Sequence, residues 1–413
     1  MAESRHSMTR GWFVVLAAIC INLILGSLYA WGVLAKALVV EWHWSKTDAA
    51  LPFTVSTAAF AIMMIFAGRM QDRLGPRWVA LLGGIMFGIG LMTSSAAKSP
   101  GVMLLTYGIL GGMGIGLCYS ATTPPAIKWF PAEKKGVVTG IVVSGVGLAA
   151  VYVSPLTQGL LKATSIPQPF FILGLGATVS ICVLSLFLTN PPAGYQPALT
   201  TASAVRPKAS VARQLDWHEM IRTAEFYRLW AMFALTASAG LMIIAHVAII
   251  AKEQARWEWG FVPVALLAIF NTLGRIVSGY VSDRIGRRET MLLAFLLQAG
   301  NMFAFTFYTS PGLLVFGSAF TGLCYGTIFT LMPAATADSY GVRNLGVNYG
   351  LVFTAFGVAG ILGPILGGRI RDLSGTYTTS YVISAVMLLI GAALAFRTRK
   401  SQPAREPVPA KAG

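Results

Sequence analysis

The sequence predicts an all-α membrane protein. It has twelve transmembrane helices, forming two six-helix bundles related by a pseudo-twofold axis, with both termini cytoplasmic. Three observations predict this. Of the 413 residues, 55% are hydrophobic and only 11% charged, where a soluble domain carries about 25% charged residues. Apolar runs of about twenty residues, enough to cross a hydrocarbon core roughly 30 Å thick, recur between short polar breaks. Whole motifs also return at offsets of 206 to 211 positions.

In the first half the runs are 12–36, 49–68, 77–97, 101–127, 136–161 and 169–189. In the second they are 226–251, 260–282, 289–309, 312–333, 344–368 and 377–396. The first run is too long for a removed signal peptide and no small-residue cleavage site follows it. After the second run stands GRMQDRLGPR (68–77), which returns after the eighth as GYVSDRIGRR (279–288), 211 positions later. GLCYS (116–120) in the fourth returns as GLCYG (322–326) in the tenth, 206 positions later. KGVVTGIVVSGVG (135–147), opening the fifth, aligns with LGVNYGLVFTAFG (345–357) in the eleventh, 210 positions later. Three ordered matches at nearly one offset imply six helices duplicated in parallel topology.

The stretch TNPPAGYQPALTTASAVRPKASVARQ (189–214), rich in Pro, Ala, Ser and Thr, reads as a flexible linker. The amphipathic DWHEMIRTAEFYRLW then leads into the seventh helix. The expected domains are an N-terminal bundle (1–189), a cytoplasmic linker (190–225), a C-terminal bundle (226–396) and a disordered cytoplasmic tail (397–413).

The net charge of +16 is not a nucleic-acid signal, because it forms no contiguous basic face. With a cytoplasmic N-terminus, 22 of the 31 Lys and Arg fall on inside segments, 8 on outside segments, and one, Arg275, within a span. This positive-inside bias fixes the expected topology, with the lipid bilayer as the surrounding partner. Cys20, Cys118, Cys182 and Cys324 lie within spans, as packing or cavity-lining residues rather than a disulfide framework. GGMGIG (111–116) lies in an apolar span with no strand before it, so its glycines serve close helix approach rather than a nucleotide loop.

None of the fifteen acidic residues falls in the middle of a span, and Arg275 is the one basic residue that does. Counted along its helix, Arg275 lies roughly 20 Å deep. An arginine there faces a bundle interior or wet cavity and marks a substrate path by default. The plainer alternative is a guanidinium paired only with backbone carbonyls and Asn271. With no acidic partner at that depth, the counter-charge is expected to be the cargo, held by paired charge-assisted hydrogen bonds. Asn271, four residues earlier, shares the helix face and can orient the guanidinium. One cation neutralises one carboxylate, which points to monoanions.

Tyr119 and Tyr325 occupy matching repeat positions in opposite halves and can each donate to that carboxylate. Phe329, Phe353, Phe356 and Leu28 are candidates for an apolar cavity wall, though plain packing explains each equally well. His246 is the only histidine within a span and the candidate proton carrier. A local hydrogen-bonding role is its alternative. Asp72 and Asp283 sit in turns closed by Gly75 and Gly286, each beside the next helix's N-terminus. With Arg73 and Arg284 they are expected to form a cytoplasmic gate that holds the outward-facing state closed. The alternative is a turn with positive-inside anchors.

The two bundles, the linker and the DR-x-G-[RP]-R loops resemble the major facilitator superfamily. Within it, KWFPAEKKG (128–136), EMIRTAEFYRLW (219–230), NTLGRIVSGYVSDRIGR (271–287) and RNLGVNYG (343–350) are similar to the oxalate/formate antiporter and monocarboxylate transporter branch. The resemblance implies substrate binding between the halves, alternating access by rocking, and a substrate carboxylate on Arg275. It also implies two departures. Asn271 stands where proton-coupled animal relatives have an aspartate, and Phe356 where the oxalate antiporter has a second cation.

The expected protein is therefore a multi-pass transporter of a bacterial inner membrane, functional as a monomer, without cofactor or metal. It would move lactate or pyruvate together with a proton. A carboxylate exchanger is the runner-up, and a non-transporting carboxylate sensor a third reading. No nucleophile–base pair or metal cluster in the spans suggests an enzyme.

Overall fold

The computed structural model describes residues 2–192, 195 and 214–398. Most of the expected linker (193–194 and 196–213) and the tail from 399 onward lie outside the described residues. Among the described residues, twelve helices are long and apolar enough to cross a membrane. They are α1 (Thr9–Glu41), α2 (Asp48–Leu74), α3 (Pro76–Ser94), α4 (Pro100–Lys128), α5 (Lys135–Ala163), α6 (Pro167–Ser185), α7 (Ala224–Gln254), α8 (Phe261–Ile285), α9 (Arg287–Phe307), α10 (Pro311–Tyr340), α11 (Leu345–Ser374) and α12 (Thr378–Phe396).

Several helices outrun the apolar stretches that announced them. α10 reaches Tyr340 where hydropathy ends near residue 333, and α2 reaches Leu74 through GRMQDR. Hydropathy marks only the lipid-immersed part, whereas backbone bonding continues until a cap or breaker intervenes. Ser45 caps the start of α2, its Oγ accepting from Asp48 N at 3.0 Å. Gly75 (φ 87°) and Gly286 (φ 105°) end α2 and α8 in backbone conformations that side chains other than glycine's seldom adopt. α1 tightens into a 3₁₀ turn at Gly26–Ala30. α4 widens to π geometry at Leu104–Gly111 and breaks at 121–122, ahead of Pro124 and Pro125, which lack N–H groups.

The packing repeats. In the first half α1 packs on α5, α3 on α6 and α2 on α4; in the second α7 packs on α11, α9 on α12 and α8 on α10. The halves meet chiefly through α2 against α11 and α5 against α8, with α10 also touching α5. Side chains such as Phe66, Leu105, Val179, Leu297 and Leu389 are exposed on the outside of this assembly, as suits a lipid-facing wall.

An even number of spans places the start of α1 and the end of α12 on one face, here termed the termini face. There the linker's flanks are anchored to a loop of each half. Trp129 Nε1 donates to the Thr189 carbonyl at 2.8 Å, and the Tyr195 hydroxyl donates to the Trp129 carbonyl at 3.3 Å. At the other flank, Leu215 N donates to Tyr340 O at 3.1 Å, and the Asn344 and Asn348 side chains both donate to Leu215 O. The expected amphipathic entry to α7 is a short turn, Trp217–Met220, started by a reciprocal Asp216–Glu219 capping box. The Glu219 N–H holds the Asp216 carboxyl below its usual range. Thr223 then caps α7.

Candidate functional site

Arg275 is 2% exposed, deep in α8. Its Nε donates to Asn271 Oδ1 at 3.2 Å, one helical turn earlier. Its Nη1 donates to the backbone carbonyl of Val143 at 2.5 Å, on α5 of the opposite half. The guanidinium lies over the Phe329 ring, 4.7 Å from its centroid. Among the described residues no carboxylate lies within ion-pair distance of it. The cation is thus held by two neutral oxygens and an aromatic face, which satisfies its geometry and leaves its charge unopposed.

Phe329 belongs to an aromatic cluster spanning both halves. Tyr325, Phe356 and Phe233 have centroids 5.2, 5.3 and 5.9 Å from it. Phe353 joins Phe356 at 5.3 Å, Phe60 of α2 at 5.0 Å and Tyr119 of α4 at 5.5 Å. Tyr349 on α11 joins the cluster, its ring centroid 5.7 Å from that of Phe353. The structure so gathers Arg275, Asn271, Tyr119, Tyr325, Phe329, Phe353 and Phe356 between the halves. Tyr325 also packs against Gly240 of α7, inside its own half.

Leu28 and His246 stand apart from this group. Leu28 is half-buried in the 3₁₀ turn of α1, against the common apolar core. His246 Nε2 lies 3.0 Å from the Pro364 carbonyl and Nδ1 lies 3.4 Å from the Tyr377 hydroxyl, so both ring nitrogens are engaged in joining α7 to α11 and α12.

On the termini face the two halves are locked together. Asp283 accepts from Gly136 N at 3.0 Å and Val137 N at 2.8 Å, at the N-terminus of α5. Asp72 accepts from Val347 N at 3.1 Å, at the N-terminus of α11. Each carboxylate therefore caps a helix of the opposite half, rather than the next helix in its own chain segment as the sequence reading had it. The helix-dipole argument holds with a different helix, because the cross-half packing sets which N-terminus is nearest. The basic residues beside the two aspartates come from the aspartates' own halves. Lys128 lies 3.6 Å from Asp72, and Arg287 lies 2.5 Å from Asp283 and 3.3 Å from Asp338. Lys135 reaches across to Asp338 at 3.4 Å. Arg73 and Arg284 are exposed, Arg284 stacked 4.2 Å over Tyr280.

The seam needs glycine. A methyl group on Gly140 would overlap the Arg275 carbonyl, and one on Gly350 the Met64 carbonyl. Gly136 and Gly279 meet in the same way, as do Gly68 and Gly346.

Sequence reasoning missed Phe60, Phe233, Tyr349, the Val143 carbonyl, and Asn22 on α1, whose Nδ2 donates to Val142 O at 2.9 Å. Asn22 is a buried mid-span amide, visible to any search that admits neutral polar residues. Phe60 follows from applying the 211-position offset to Asn271.

Comparisons with known proteins agree on the family. The profile of the Major Facilitator Superfamily matches residues 12–300 and 262–413. The oxalate:formate antiporter of Oxalobacter formigenes is 28% identical over 94% of this chain and 90% of its own. Monocarboxylate transporter 13 of Rattus norvegicus is 27% identical over 92% of this chain and 87% of its own. Among solved structures, the proton:xylose symporter XylE superposes with a TM-score of 0.75 at 12% identity, over 95% of this chain and 97% of XylE, a likeness of fold.

Proposed function

This chain belongs to the Major Facilitator Superfamily, and from that premise we propose that it moves a small monocarboxylate, such as lactate or pyruvate, by alternating access with a co-transported proton. The observation that carries the reading is Arg275. It is a buried cation between the halves whose hydrogen-bond partners are neutral and whose neighbours are aromatic. A carboxylate would replace a neutral acceptor with a charged one, adding an opposite charge and the option of two parallel charge-assisted hydrogen bonds. Tyr119 and Tyr325 would donate to the same anion, and Phe329, Phe353 and Phe356 would enclose a short apolar tail. The two transporters named above handle carboxylates by their names, which supports the substrate class.

By the positive-inside rule the termini face is cytoplasmic, so its closed seam would make this the outward-facing side of the cycle, in a bacterial inner membrane. Asp72 and Asp283 would form the gate, backed by Lys128 and Arg287. His246 remains the candidate proton carrier, although its engaged nitrogens favour a joining role.

Exchange of one carboxylate for another is the second reading. It is favoured by Asn271, which places an amide, and no proton-binding carboxylate, against the arginine.

The test is uptake of labelled L-lactate into proteoliposomes, with and without an inward proton gradient, by wild type and Arg275→Ala. Gradient-driven uptake that the substitution abolishes is the expected result. Uptake that ignores the gradient but requires carboxylate preloaded inside would select exchange. Undiminished transport by the variant would leave Arg275 structural and sink the site.

A further inference from the structure

The hydrogen bond from Arg275 Nη1 to the Val143 carbonyl crosses between halves, and its acceptor is unusual. Val143 lies inside α5, so its carbonyl already belongs to a helical hydrogen-bond ladder. A guanidinium that settles on such an oxygen has found a position rather than a counter-ion.

Three neighbouring contacts hold that position. Gly140, one turn before Val143, lets α5 come against the Arg275 carbonyl. The same carbonyl accepts from Thr330 Oγ1 of α10 at 2.8 Å, which ties α8 to α10 at this height. On α5, the adjacent Val142 carbonyl accepts from Asn22 of α1, which fixes α5 from within its own half. Both partners of the cross-half bond are therefore braced, and parting α5 from α8 at this height breaks it.

We infer that the Val143 carbonyl stands in for the substrate carboxylate while the site is empty, so that the Arg275–Val143 bond is a latch between the halves which substrate releases. The inference rests on the proposal that a carboxylate binds Arg275. An arriving carboxylate outcompetes a neutral, already bonded carbonyl for the guanidinium. The loaded protein then separates α5 from α8 with its arginine still paired. The empty protein must first leave a buried N–H of a cation unpaired. Empty reorientation is therefore the slow step, and exchange outruns net transport even with one cation in the site.

The pseudo-symmetric seam supplies the control. Gly350 meets the Met64 carbonyl as Gly140 meets that of Arg275, with no guanidinium involved.

The experiment measures labelled L-lactate efflux from proteoliposomes into buffer with or without unlabelled L-lactate, for wild type, Gly140→Ala and Gly350→Ala. In the wild type, external lactate should accelerate efflux about tenfold, the rate difference that one hydrogen bond to a charged group sets. Gly140→Ala displaces α5 from Arg275 and should bring the ratio close to one. Gly350→Ala loosens the other seam and should keep the wild-type ratio. Equal efflux in both buffers for wild type, or an equal fall in both variants, overturns the latch.

Should the variants not fold, spin labels can replace the exposed Lys134 and Arg284 in a chain lacking its four cysteines. L-lactate should then lengthen their separation, and an unchanged distance at saturating lactate overturns the latch. Binding is read separately from tryptophan fluorescence with lactate, pyruvate and formate. Binding without acceleration removes the latch alone, whereas no binding by any of the three removes the transport reading beneath it.

Discussion

The α2–α11 seam and the α5–α8 seam are two versions of one construction. Gly68 and Gly346 meet in the first as Gly279 and Gly136 meet in the second. Asp72 caps α11 as Asp283 caps α5. The offset of 211 positions that pairs Asp72 with Asp283 also pairs Met64 with Arg275 and Phe60 with Asn271. The offset of 210 pairs Val143 with Phe353. Toward the termini face the seams share their paired glycines and capping aspartates, and deeper in the membrane they part. One holds an arginine, an amide and a backbone carbonyl; the other holds methionine and two phenylalanines. The duplicated backbone supplies closure on both sides, and the side chains at the middle set the two apart.

The sharpest way to break this comparison is to remove the side chain at both equivalent positions. Arg275→Ala should lower L-lactate uptake by roughly 100-fold, the scale of removing one partner of a buried charged pair. Met64→Ala should leave it within about threefold, since Met64 packs in the apolar core. Comparable losses would mean that the two seams share the work.

Next in expected size is a charge placed beside the arginine. In Asn271→Asp the new carboxylate would sit where Asn271 Oδ1 now accepts from Arg275 Nε. It would compete with substrate while ionised and release the guanidinium when protonated. Uptake by the variant should therefore fall about tenfold at alkaline pH and recover as pH is lowered, a dependence absent from wild type in exchange mode. A pH profile parallel to that of wild type would count against Asn271 as the orienting group.

The gate offers a finer contrast. Asp283 accepts from two backbone N–H groups and pairs closely with Arg287, whereas Asp72 accepts from Val347 and has Lys128 at 3.6 Å. Asp283→Asn should shift the balance of closed and open termini faces by about tenfold, and Asp72→Asn by about threefold. Spin-label distances across each seam would measure both shifts. The reverse order would mean that the α2–α11 seam is the stronger lock. Smallest is Phe329→Leu, which removes the ring beneath the guanidinium and should raise the KM for lactate about threefold. Phe60→Leu should leave that KM within about twofold, because its ring does not touch Arg275.

Much of this was legible in the residues, for reasons that differ by position. Arg275 announced itself because a lone charge in an apolar run has few physical explanations. The DR-x-G turns announced themselves by repetition. What Asp72 and Asp283 cap was not legible, since the nearest helix N-terminus is a fact of tertiary packing between residues 146 or more positions apart. Arg73 and Arg284 adjoin the aspartates in the chain. Lys128, on α4, reaches Asp72 only through packing, whereas Arg287 pairs with Asp283 from four positions along the chain. The Val143 carbonyl has no signature at all, because every residue carries one. Tyr349 and Phe233 were hidden among many aromatic residues whose packing and lining roles look alike in a sequence.

The glycines of the seams carry one more consequence. Where Gly136 meets Gly279 and Gly68 meets Gly346, backbone comes directly against backbone, with the capping Asp283 and Asp72 beside it. Glycine has no rotamers to freeze, whereas ordering a long side chain costs up to about 2 kcal/mol in lost conformational entropy. The glycine contacts themselves therefore lose almost nothing of this kind when the helices meet and regain almost nothing when they part. A contact made and broken in every cycle can thus be tight without being sticky.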